Sequence, residues 1–203
     1  MNRNRTFVYV GLMMLAAAAA GYMVARQLSH SALPLQSGTA LPQPRALASF
    51  SLSDHQGGSF GNAQLQGKPS LMFFGFTHCP DVCPTTLALM AQLARDPALS
   101  RLRMLFVTVD PARDDQLTLQ RYVNAFGGSL VGLRGEDASL DPLLRSIGAA
   151  RNVQPLAGGD YSVDHSATLF YLDSSGRLAA VFSPPFALDQ LQADLLTLLR
   201  TQG

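Results

Sequence analysis

The chain has 203 residues, a formal net charge of +1 and 47% hydrophobic residues, which suits one ordinary domain with extras and a sizeable core. So even a charge balance carries no electrostatic footprint for nucleic acid or an acidic substrate. At the start, Arg3 and Arg5 precede an uncharged apolar run from Phe7 to Ala25, closed by Arg26. As a helix rising ~1.5 Å per residue, that run spans about 28 Å, enough for a hydrocarbon core. Basic residues ahead of it favour a cytoplasmic N-terminus and place the remainder across the membrane. A cleaved signal peptide is the rival reading, since Ala18-Ala19-Ala20 offers small residues. Its apolar region is normally only ~7–15 residues long, so a single transmembrane helix over residues 1–26 is expected. On either reading the domain is exported. In a bacterium it stands in the periplasm, held at the inner membrane, where an unprotected cysteine pair tends to oxidise.

Residues 27–46 are rich in Ser, Pro, Gln and Gly without a sustained period and read as a flexible tether, which starts the domain at residues 47–203. Phe50 and Leu52 alternate into His55-Gln56-Gly57-Gly58, a short hairpin. Ser70 to Phe76 reads as the first deeply buried strand. Leu87, Met90, Ala91 and Ala94 follow helical spacing until Asp96-Pro97. Met104 to Val109 is a second buried strand. A helix over Leu117 to Phe126, capped by Asp114 or Asp115, ends at Gly127-Gly128. A strand at Leu130 to Leu133 and a helix at Leu140 to Ile147 follow. Residues 149–164 carry Pro155 and Gly158-Gly159 and read as a loop. Strands at Ala167 to Leu172 and Leu178 to Phe182 flank the turn Asp173-Ser174-Ser175-Gly176, and the last helix carries Leu188, Leu191, Leu195 and Leu198. This order predicts an α/β domain, a mixed central sheet with helices on both faces.

The two cysteines, Cys79 and Cys83, fall where a strand gives way to a helix, in Gly75-Phe76-Thr77-His78-Cys79-Pro80-Asp81-Val82-Cys83-Pro84-Thr85. Four-residue spacing lets two sulfurs converge, either to close a disulfide or to clamp a soft metal ion. Amides at a helix start are expected to stabilise thiolate there. Of the four histidines, His30 lies in the tether and His55 in a turn, where both are expected in solvent. His78 adjoins Cys79, and neighbours on an extended segment point oppositely. His165 directly precedes an apolar strand, at the kind of strand end where ligands collect.

The segments GFTHCPDVCPT, VTVDPARD at 107–114 and YSVDHS at 161–166 closely resemble the Sco/SenC family of membrane-tethered copper proteins needed for cytochrome c oxidase assembly. The resemblance covers about residues 47–200 and implies a thioredoxin-like fold, in agreement with the element order. It implies one copper ion, Cu(I) or Cu(II), held by Cys79, Cys83 and His165, with the cysteines also forming a redox disulfide. Asp110, which opens the DPARD portion, is an accessory candidate for partner docking or copper release, or else a turn residue. The partners implied are the copper-bearing subunit of the oxidase, a periplasmic copper donor and a thioredoxin-like dithiol reductant. A thiol–disulfide oxidoreductase or redox sensor is the alternative to a non-enzymatic copper carrier. Against it stand the longer cysteine spacing and His165-Ser166, where such enzymes carry a Pro. A peroxidase is excluded, because Pro80 and Phe76 stand where that family needs Thr three residues before its cysteine.

Overall fold

The computed structural model describes residues 3–28 and 33–202. A helix, α1 (Arg3–Leu28), leads to an eight-stranded sheet and a separate two-stranded hairpin. In chain order the sheet strands are β1 (Gly38–Arg45), β2 (Ser51–Asp54), β3 (Ser59–Gly61), β4 (Ser70–Gly75), β5 (Arg103–Thr108) and β6 (Leu130–Arg134). The hairpin, β7 (Arg151–Pro155) and β8 (Tyr161–His165), comes next, followed by β9 (Leu169–Leu172) and β10 (Leu178–Phe182). The helices are α2 (Asn62–Leu65), α3 (Val82–Ala94), α4 (Gln116–Asn124), α5 (Asp137–Ile147) and α6 (Leu188–Gln202).

The sheet order is β1-β10-β9-β4-β5-β6-β2-β3. Strands β4, β5 and β6 run parallel, joined through α3 and α4, and the other neighbours are antiparallel. A parallel strand covered on both faces must be apolar throughout, and every residue of β4 is buried. Phe73, Phe74, Phe106, Leu169 and Leu172 around it are fully buried or nearly so and form the centre of the core. The expected boundaries hold closely here. Asp115 caps α4 by accepting from Thr118 N, and Gly148 ends α5 at φ 83°.

Three expectations are corrected. The tether reading fails from Gly38 onward, because β1 pairs with β10 at the sheet edge. Pro42 and Pro44 hide this strand in the sequence, and they are tolerated because an edge strand needs donors on one side only. Just ahead of it, Asp194 of α6 accepts hydrogen bonds from the backbone of Gln36, Ser37 and Gly38 and from the Ser37 hydroxyl. Residues 149–164 are not a loop but chiefly the hairpin β7–β8, with Val153 opposite Val163 and the turn taken by Gly158 and Gly159 at positive φ. His55 is buried rather than solvated, its Nδ1 accepting from Gly132 N–H at 3.1 Å. His30 lies outside the described residues.

The apolar N-terminal run does form a helix, α1, and its described side chains from Gly11 to Met23 are exposed. Among the described residues no helix is long and apolar enough to cross a membrane.

Tyr171 gives the core a measurable signature. Its ring is fully buried, its hydroxyl has no hydrogen-bond partner among the described residues, and burial pushes its pKa up to about 12 from 10.0. A phenol with a folded pKa above its unfolded value stabilises the fold below the unfolded value and ceases to do so as pH rises through the folded one. The urea midpoint is therefore expected to fall between pH 10 and about 12, and less so in Tyr171→Phe, which should be at least as stable as the parent at pH 7. An identical alkaline loss in the variant would show that this phenol is not the cause.

Candidate metal centre

The site grows from the end of β4. Gly75 O accepts from Val109 N at 2.8 Å, which carries the β4–β5 pairing one step further before the chain turns at residues 77–81 into α3. Asp114, fully buried after β5, fixes that turn. Its carboxylate accepts from Thr77 N at 3.0 Å, from the Thr77 hydroxyl at 2.6 Å and from the Thr108 hydroxyl at 2.5 Å. Cys79 then sits half-buried in the turn, with its N–H donating to Phe76 O, and Cys83 sits fully buried in the first turn of α3.

Topology supplies the third donor. Because β9 runs antiparallel beside β4, with Leu169 opposite Phe73, the start of β9 lies at the end of β4. His165, four residues before Leu169, is delivered to the cysteines. Its Nε2 lies 3.3 Å from Cys83 Sγ, and its ring stands edge-on to Phe73 and Phe76, with centroids 5.9 and 5.8 Å away. One donor atom each from Cys79, Cys83 and His165 falls within 4.8 Å of the others. Two sulfurs and an imidazole nitrogen make a soft donor set that fits Cu(I) or Zn(II).

The protonation pattern suits a ligand. His165 Nδ1 lies 3.2 Å from the Ser166 carbonyl, which can only accept, so Nδ1 carries the hydrogen and Nε2 keeps its lone pair. Burial lowers the pKa of this imidazole, partly offset by the Ser166 contact, and favours the neutral form that a metal needs. Burial also raises the pKa of the Cys83 thiol strongly. The expected thiolate stabilisation at a helix start is thus reversed at Cys83, since desolvation outweighs the backbone hydrogen bond at Phe76. A metal there has a proton to displace.

Other sequence candidates take different places. Asp110 is buried and accepts from the Tyr161 hydroxyl at 2.7 Å and from Arg113 Nε. Arg113 lies over the Tyr161 ring at 3.7 Å and donates to Tyr161 O and Asp160, so the pair ties the start of β8 to the end of β5. The Asp110 carboxylate therefore turns inward. Asp81, at the start of α3, is exposed and its side chain caps nothing. His78 lies outside the three-donor cluster, with Nδ1 against the Thr77 hydroxyl. Asp114 is the residue that sequence reasoning underrated. It reads as a helix-start acid, and the only hint was a second acid beside Asp115 competing for one cap.

A mixed α/β sheet with two cysteines and a histidine gathered at one strand end defines a thioredoxin-like domain with a soft-metal site. Residues 39–200 match the SCO1/SenC family model, and the chain belongs to that family. It is 36% identical over 162 residues to a "putative copper-binding protein" of Stutzerimonas stutzeri, covering 78% of this chain and 79% of the relative. It is also 36% identical to the mitochondrial SCO2 homologue of Bos taurus, covering 70% of this chain and 55% of that one, so it spans about half the length of this mitochondrial relative. Among solved structures, Bradyrhizobium japonicum ScoI with copper bound is 34% identical with a TM-score of 0.67, covering 78% of this chain and 100% of that one.

Gly75 tests the packing of the centre. A Cβ at this position would stand 2.8 Å from Cys83 Sγ, 2.9 Å from Phe106 Cε2 and 3.2 Å from Phe73 Cε1. Gly75→Ala is expected to cost about 1–3 kcal/mol in urea unfolding, as overpacking does, and to weaken metal retention by displacing Cys83. Wild-type stability and metal content together would mean that the contact is looser than described.

Proposed function

We propose that this protein is a membrane-anchored copper carrier that loads, or prepares by thiol reduction, the copper centre of cytochrome c oxidase. The observation that carries the reading is the convergence of Cys79, Cys83 and His165 within 4.8 Å. Copper is cargo, not a resident catalyst, and the work is carriage rather than turnover. The named copper relative and the copper-bound ScoI structure support the choice of metal.

The chain's residues divide the task. Burial of Cys83 keeps competing water from that sulfur, while Asp114, through Thr77, holds the turn that bears Cys79. The two thiols release their protons as the ion enters, and His165 contributes a lone pair already facing inward. Release proceeds by ligand exchange, and Cys79, the less buried sulfur, is the one that an incoming ligand reaches first. In this reading α1 is the anchor, and the domain works in the periplasm with its N-terminus in the cytoplasm. Its partners are the copper-bearing oxidase subunit, a periplasmic copper donor and a dithiol reductant.

The free thiols of Cys79 and Cys83, close enough to approach a disulfide, favour a second reading as a thiol–disulfide oxidoreductase or redox sensor. Oxidation would join the two sulfurs, release two protons and pass two electrons to an acceptor disulfide.

The reduced protein is expected to bind one Cu(I). Cys79→Ala or Cys83→Ala should abolish binding, and His165→Ala should weaken it by at least the ~10–100-fold that loss of a ligand's outer-shell partner costs, with an altered absorption spectrum. Metal analysis and competition with a chelator decide the matter. Binding that survives loss of both cysteines would move the site elsewhere. The oxidised protein should take up no copper until a dithiol reductant is added. Equal uptake by both forms would show that the pair does not gate the site.

A further inference from the structure

The docking of β9 brings His165 near the cysteines without setting its place. Between His165 and β9 lie Ser166, Ala167 and Thr168, which belong to no strand. What fixes the histidine is the base of the hairpin. There Arg151 of β7 stands directly opposite His165 of β8. Side chains paired in this way share one face of the hairpin, with Cβ atoms about 4.5–5.5 Å apart. Ser166, the next residue, closes the base twice: its N–H donates to Ala150 O at 3.1 Å, and its hydroxyl accepts from Ala150 N at 3.0 Å.

The Arg151 side chain leaves this base in two directions. Nη1 donates to Val109 O at 3.1 Å, and Nη2 pairs with Asp137 at 2.7 Å and Asp141 at 2.8 Å, both on α5. Val109 N in turn donates to Gly75 O, at the end of β4 and just before the cysteine turn. A continuous line of bonds thus runs from the strand that leads to the cysteines, through Val109 and Arg151, to the residue paired with His165. Asp137 and Asp141 are 67% and 43% exposed, and ion pairs so open to water add little stability. What Arg151 supplies is geometry, since a planar guanidinium fixes the directions of its donors.

We propose that Arg151 is a positioning residue of the metal centre, setting the distance from His165 to the two sulfurs by bracing the hairpin base against Val109 and α5. The proposal rests on the copper-carrier reading. Arg151 does not touch the ion, because a guanidinium has no lone pair to offer. Without the brace the cysteines keep their places, held by α3 and by the Asp114–Thr77 bonds, and only the imidazole drifts. Arg151 therefore counts only while there is a histidine to place.

The test is a double-mutant cycle on Cu(I) affinity, measured on the full-length reduced protein by competition with the chelator bicinchoninate. With His165 in place, Arg151→Ala is expected to lower the affinity about tenfold, as loss of a ligand's outer support does. In the His165→Ala background the same substitution should change nothing. A lost positive charge or a general loosening of the fold would weaken the dithiol as well, and would lower affinity equally in both backgrounds. That result overturns the proposal and leaves the carrier reading standing. Wild-type affinity in Arg151→Ala does the same. Should Arg151→Ala not fold, Asp137→Ala combined with Asp141→Ala runs the same cycle with the Val109 bond retained. A smaller loss, confined to the background that keeps His165, is then expected; no loss, or equal loss in both, overturns the proposal. Wild-type protein that takes up no copper overturns the carrier reading, and this proposal with it.

Discussion

The carboxylate of Asp114 is the interaction on which the centre depends. It is fully buried, and three donors converge on it: Thr77 N–H, the Thr77 hydroxyl and the Thr108 hydroxyl. A buried carboxylate is costly unless its oxygens are satisfied, and here satisfaction and architecture coincide. Thr108 ends β5, paired with Gly75 of β4, and Thr77 opens the cysteine turn, so one side chain ties that turn to the paired strand ends. Arg134 closes the arrangement from β6 by donating through Nε to the Asp114 backbone carbonyl at 3.1 Å.

The opposite wall of the centre is aromatic. Phe73 and Phe76 meet the His165 ring edge-on, and Arg113 bridges from Phe76 to Tyr161 at the far end of β8. Edge-to-face packing fixes a ring plane as well as filling space. The imidazole is thus aimed by apolar contact on two sides and by the Ser166 carbonyl on a third. Cys79 lacks such walls. A centre rigid on one side and open on the other suits an ion that must be both kept and surrendered.

The central strands were legible because continuous apolar runs such as Leu71-Met72-Phe73-Phe74 leave few alternatives, and because Gly, Pro and Asp punctuate them. The edge strand β1 was not, since Pro42 and Pro44 mimic a linker and of its residues only Ala40 is fully buried. The hairpin β7–β8 escaped for a related reason. Arg151, Asn152, Gln154, Ser162 and Asp164 show no apolar face, and Val163 alone of the ten strand residues is buried. Hydrophobic period reports burial, and a strand pair standing off the core has little to report. Cys79 and Cys83 could be read from spacing. His165 could be joined to them only through the family motifs, because its approach depends on β9 returning antiparallel beside β4, a pairing with no local signal.

That return also governs timing. Cys83 and His165 are 82 positions apart, and nothing but the finished sheet brings them together. A chain emerging from its N-terminus presents the two sulfurs early and the imidazole late. Until β9 has docked against β4, the cysteines are an ordinary dithiol with two donors and no aromatic walls. The full donor set therefore works as a certificate of folding: an ion held by all three side chains is held by a completed domain.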